Sequence, residues 1–164
     1  MIKQIPTLDG YEIAKSVPAA FTGGTAARGD KDTASGAWTI FHVNGDVVVR
    51  IFGVSTLTPV GTSGTLEVGV AGNTAALIAL TTATGIVTNY IWSDASPTAG
   101  LDTLASVLGP YIIVNGQDII ETTKTTDLTA GNIYYVCMWK PLTEGSDARA
   151  IPIASSPSFR YDTA

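Results

Sequence analysis

Few residues in this sequence are placed to do covalent chemistry. There is one histidine, His42, and one cysteine, Cys137. A Ser-His-Asp triad would have to be built on His42, yet no spacing selects its serine and carboxylate. One His and one Cys cannot form a His/Cys zinc site without several carboxylates. Asp30 and Asp32 stand close together, but no EF-hand-like loop surrounds them. Gly69-Val70-Ala71-Gly72 lies at a strand end and does not open a helix, so it does not read as a phosphate cradle. The remaining carboxylates are scattered singly, mostly in turns, and do not mark a glycosidase pair. These patterns predict a protein that is not an enzyme, with no catalytic residues, no metal and no cofactor. His42 then reads as a partly buried histidine with a hydrogen-bond partner, and Cys137 as a small apolar residue.

Two patterns point to binding. Trp38, Trp92 and Trp139, with Tyr90, Tyr111, Tyr134 and Tyr135, have the composition of a sugar-stacking platform. All lie in or beside expected strands, where core and interface packing is the plainer account. Arg28-Gly29-Asp30 spells an adhesion tripeptide, but it sits in a Gly/Ala-rich stretch where short matches arise by chance.

The positioning elements are β-strands. Residues 38–54 hold two β-rich runs around Asn44-Gly45, a strong hairpin signal because a type I′ turn needs φ > 0 at both central residues. That register gives one face with Trp38, Ile40, His42, Val47, Val49 and Ile51, which reads as core. The other face has Thr39, Phe41, Val43, Asp46, Val48, Arg50 and Phe52. It is mixed, and so either partly solvated or packed on another chain. Residues 65–70 alternate, with Leu66, Val68 and Val70 on one side. Residues 75–82 read as strand more than helix. Residues 99–108 have helical spacing over only about two turns. A second Asn-Gly hairpin is expected at Asn115-Gly116. Residues 132–140 are apolar on both faces, as a central strand requires, with Ile133, Tyr135, Cys137 and Trp139 together.

Short, closely spaced strands without strand–helix–strand alternation predict an all-β chain, an antiparallel β-sandwich or a jelly-roll-like barrel. The expected organisation is an extended N-terminal arm over 1–36, a β-sandwich domain over 37–142 and an extended C-terminal tail over 143–164. The arm is too poor in apolar residues to form its own core and must order against the domain, a sister subunit or a lattice. Ile2, Ile5, Tyr11 and Phe21 are its candidate capsid or subunit contacts. On this reading, deletion of residues 1–30 leaves the β-domain folded.

Charged residues make up only 14% of the 164, with a net charge of −5. Low charge predicts widely covered sheets and a homo-oligomer. The acidic balance argues against nucleic-acid binding. A lone cysteine, no apolar h-region at the start and no run long enough to span a bilayer predict folding in the cytosol and no membrane partner.

The run from Trp38 to Gly53 resembles the start of a group of tailed-bacteriophage virion structural proteins. So do Thr65-Leu66-Glu67-Val68-Gly69-Val70-Ala71-Gly72-Asn73-Thr74, Ile91-Trp92-Ser93-Asp94 and the ending from Asp127-Leu128-Thr129 to Trp139-Lys140-Pro141-Leu142. The likeness spans roughly residues 37–142 and rests on turn-and-strand patterns. It implies a capsid decoration or cement protein, a homotrimer on the major capsid protein lattice at the capsid exterior, assembled in the host cytoplasm. It carries no catalytic residues. The alternatives are a tail or head–tail junction component, or a carbohydrate- or receptor-binding β-sandwich module that takes a host glycan.

Overall fold

The computed structural model describes residues 7–8, 10–31, 37–103, 106–107 and 109–151. Among them the strands are β1 (Thr7–Leu8), β2 (Tyr11–Lys15), β3 (Ala19–Ala20), β4 (Ala37–Asn44), β5 (Val47–Val60), β6 (Thr65–Val70) and β7 (Asn73–Thr82), then β8 (Tyr90–Trp92), β9 (Thr98–Ala99), β10 (Tyr111–Ile113), β11 (Ile119–Lys124), β12 (Ala130–Pro141) and β13 (Asp147–Ala150). They form two antiparallel sheets. One has eight strands in the order β1-β2-β12-β5-β8-β9, with β3 also on β12 and β10 also on β5. The other has five, β13-β4-β11-β6-β7. The chain is an all-β sandwich.

The core lies between the sheets and follows from alternation along each strand. In β5, Val47, Val49 and Ile51 point inward. In β12, Ile133, Tyr135, Cys137 and Trp139 do the same, and β6 adds Leu66 and Val68. Burying side chains of this size contributes roughly 1.5–3 kcal/mol each before conformational entropy is counted. β12 is central, with β2 on one side and β5 on the other.

Neither Asn-Gly turn makes the expected hairpin. β4 belongs to the five-stranded sheet and β5 to the eight-stranded one, so the chain crosses the sandwich at Asn44-Gly45. Only Gly45 has positive φ there (+68°), which is not the type I′ pattern. Asn115 and Gly116 both have positive φ (58° and 65°), yet β10 and β11 also lie in opposite sheets. The two crossings stack: β10 pairs with β5 and β11 with β4. Their turns satisfy each other, the Gly116 N–H donating to the Gly45 carbonyl at 3.0 Å and the Asn115 N–H to Asp46 Oδ1 at 2.9 Å. Asn115 tolerates left-handed backbone better than alanine does. Asn115→Ala is therefore expected to cost about 1–2 kcal/mol, measured as a lower urea midpoint at unchanged m-value.

The face assignment in β4 changes for a second reason. Ile119 pairs with Phe41 and Ile120 with Thr39, which leaves Ile40 as the extra residue of a bulge. Ile40 and Phe41 are both buried. Beyond the bulge Phe41 and Val43 face the core, and His42 turns outward instead of inward. Trp38 is 40% exposed rather than a core residue.

The boundaries at 36 and 142 also shift. β2 pairs with β12 from Lys15–Val136 to Glu12–Trp139, and β3 pairs with it at Asn132 and Ile133. Residues 10–31 thus order against the domain itself. At the other end β13 pairs with β4. Of the residues with helical spacing, 99–103 contain the end of β9 and irregular chain and residue 106 has 3-10 geometry, while 104, 105 and 108 lie outside the described residues.

Candidate interaction surface

The chemistry-bearing residues are dispersed. His42 Nδ1 lies 3.0 Å from Asp118 Oδ2, and its side chain is 57% exposed. The expected partner exists, but the expected burial does not. Among the described residues, no three His, Cys, Asp or Glu side chains cluster as metal ligands. Cys137 is buried, and burial pushes its thiol up from the ordinary value of 9.0 to about 12. Only the unfolded chain releases this proton near pH 9, so stability falls as pH rises above that value. In the native protein Cys137 is expected to resist a disulfide-exchange reagent at pH 8 and to react fully on unfolding, as a thiol-release assay would read.

The aromatic platform is not assembled: Trp92, Tyr135 and Trp139 are buried in the core. Trp92 Nε1 donates to Thr81 Oγ1 at 2.9 Å, and its ring is 6.2 Å from that of Tyr135. The adhesion tripeptide is also buried. Arg28 Nε donates to Glu121 Oε1 at 2.8 Å and Nη2 to Oε2 at 2.5 Å, while Nη1 donates to the Ala19 carbonyl. The Tyr135 hydroxyl donates to Glu121 as well. Burial alone would lower the Arg28 pKa, but the Glu121 charge, the hydrogen bonds to Glu121 and the Tyr135 contact together outweigh it and hold the guanidinium more firmly protonated. Burial, then the Glu121 charge, pushes the Tyr135 hydroxyl well above its usual value.

Of the four candidate arm contacts, Ile2 and Ile5 lie outside the described residues. Phe21 must be corrected: it is 1% exposed, with the Arg28 guanidinium 4.3 Å from its ring, and so belongs to the core. Tyr11 is half-buried on the outer side of the eight-stranded sheet, with Lys140 Nζ 4.2 Å from its ring.

That outer side is the surface most unlike an ordinary solvated sheet face. The positions of β5 and β12 that alternate with the core are Val48, Arg50, Phe52 and Val54, and Tyr134, Val136, Met138 and Lys140. The register lines them up across the sheet. One row is Lys15–Val136–Phe52, the next Ile13–Met138–Arg50, and the flanking rows are Tyr134–Val54–Ile91 and Lys140–Val48–Ile112. Most are half-buried by their neighbours, Met138 is buried, and Ile112 is 67% exposed. A solvated antiparallel face carries polar side chains, so this apolar one is a candidate contact surface.

Its charges are of one sign. Lys15 Nζ sits 4.2 Å from the Tyr134 ring and Lys140 over Tyr11. Among the described residues, Lys15, Arg50 and Lys140 form no ion pair. The opposite outer face, on the five-stranded sheet, is polar and internally paired. There Lys124 Nζ meets Glu67 at 2.6 Å, Arg149 meets Asp147 at 2.6 Å, and Thr74 donates to Glu67.

Open hollows lie elsewhere among the described residues. One of about 570 Å³ is lined by threonines and Asp127, and one of about 360 Å³ opens between β2 and β13 beside Trp139. Among the described residues no helix is long and apolar enough to cross a membrane. Sequence periodicity separated the inner and outer positions of β5 and the two faces of β12, without choosing which β12 face is inner. The unpaired state of Arg50 left no local signal, because it depends on which strands become neighbours. Compared with protein-family models, curated proteins and solved structures, the chain matches none.

Proposed function

We propose that this chain is a non-enzymatic structural component of a tailed-phage virion. In this reading it is a decoration or cement protein that binds the major capsid protein lattice from outside, as a homotrimer, and stabilises the head. The observation that carries the proposal is the apolar outer face of the eight-stranded sheet, with Ile112 largely exposed on it, since a rigid sandwich with such a face is suited to docking. The resemblance over residues 37–142 supplies the virion setting. The low charge content, 14%, fits a chain with several covered surfaces.

The mechanism is additive contact. Each copy bridges neighbouring lattice subunits, and repetition around a symmetric shell supplies avidity without any one contact being strong. Ile2, Ile5 and Tyr11 are the remaining arm residues available to extend that contact. Assembly takes place in the host cytoplasm.

The test is light scattering of the purified protein, followed by co-sedimentation with capsids that lack it. The expected result is a compact trimer that saturates capsids at high copy number and raises their thermal disruption temperature. A monomer that ignores capsids overturns the proposal, and a low copy number at one vertex moves the protein to a tail or head–tail junction.

A further inference from the structure

We infer that the outer face of the eight-stranded sheet docks on an apolar protein surface that presents carboxylates, with Arg50 as the central ion-pairing residue. The inference rests on the virion reading for the partner's identity, which is then an acidic patch of the capsid lattice. Three observations carry it. The outward positions of β2, β5 and β12 hold an apolar field without a single Asp or Glu. Arg50 stands inside that field, in register with Met138, and has no ion-pair partner among the described residues. Lys15 and Lys140 flank it, each held against a tyrosine ring.

The chain is acidic overall, at −5, so a face bearing cations alone is selective. An arginine among apolar neighbours offers a planar fork that carboxylates fill in a bidentate manner. Covering it without an anion would leave a desolvated charge. Covering it with a second copy of the same face, two-fold related, would set like charges against each other. The complementary surface is therefore acidic at its centre and apolar around it. The rim lysines contribute mainly to encounter rate and salt dependence, because exposed charges are screened within about 10 Å at ordinary ionic strength.

The experiment titrates the full-length protein onto capsids that lack it, at about 0.05 and about 0.5 M NaCl. The variants are Arg50→Glu, Ile112→Glu and, on the opposite outer face, Thr39→Glu. Near-UV circular dichroism and a thermal melt check each fold, and Ile112, largely exposed, can change without touching the core. Arg50→Glu is expected to weaken half-saturation by about 30-fold or more and Ile112→Glu by about 10-fold, with Thr39→Glu within about 2-fold. High salt should weaken the wild type and leave Arg50→Glu much less affected. Wild-type binding that both face variants leave unchanged overturns this inference alone. Wild-type protein that does not bind capsids overturns the virion reading and the inference with it. If either face variant turns a free oligomer into monomers, the face lies between sister subunits and the inference is wrong.

Discussion

Arg28→Ala is expected to destabilise the protein by about 3–5 kcal/mol, the cost of leaving one partner of a buried ion pair alone. Glu121 is 1% exposed and accepts from Arg28 through both carboxylate oxygens. Without the guanidinium, the Tyr135 hydroxyl is its one remaining donor of those seen, and the second carboxylate oxygen is left without a partner in the core. For a chain of this length the loss corresponds to a melting point lower by roughly 10 °C. Arg28→Lys should not rescue, since an ammonium cannot hold two carboxylate oxygens and the Ala19 carbonyl in one plane. A melting point within about 2 °C of wild type would show that this pair does not hold residues 19–30 on the sandwich.

Removal of residues 1–30 is expected to abolish cooperative unfolding, contrary to the sequence-based view that the β-domain survives without its arm. The deletion strips β12 of β2 and β3, exposing one edge of the central strand from Asn132 to Trp139. It removes Phe21 from the core, worth about 2–3 kcal/mol of burial. It also leaves Glu121 unpaired, at the further cost already given. Native domains are stable by only about 5–15 kcal/mol, so these losses together consume most of what is available. The truncated chain should lack near-UV circular dichroism from the buried Trp92 and Trp139 and should aggregate through the open edge. A sharp, reversible thermal transition in the truncated protein would show that β2 and β3 are dispensable.

The consequence for the proposed function is that arm deletion cannot separate folding from docking. Point variants on the outer face can, because Arg50 and Ile112 alternate with core residues and do not enter the core. Loss of capsid binding with an unchanged melting point would then belong to the surface alone.

Local pattern was sufficient for the strands themselves. Alternation assigned Val47, Val49 and Ile51 of β5 to the interior and put Ile133, Tyr135, Cys137 and Trp139 of β12 on one face, because side-chain direction in a strand is a property of adjacent residues. Continuous apolar character on both sides of residues 132–140 identified a central strand for the same reason. Only the tertiary structure decided which sheet each strand joins. A turn such as Asn44-Gly45 reverses the chain whether the next strand pairs with its predecessor or crosses the core. The choice was made by the second turn, 71 residues on, whose Gly116 N–H the Gly45 carbonyl accepts. The bulge at Ile40, which turned His42 outward, likewise arises from pairing with β11. Phe21 read as an arm contact and Arg28 as part of a loop tripeptide because their neighbours are small and polar. They are buried because Glu121 lies 93 residues beyond Arg28, a separation no local window spans. The sequence by itself therefore determined an all-β chain and which residues share a face of each strand. The pairing of distant strands decided what is core, what is arm and which outer face is apolar, because those are properties of neighbours that only folding brings together.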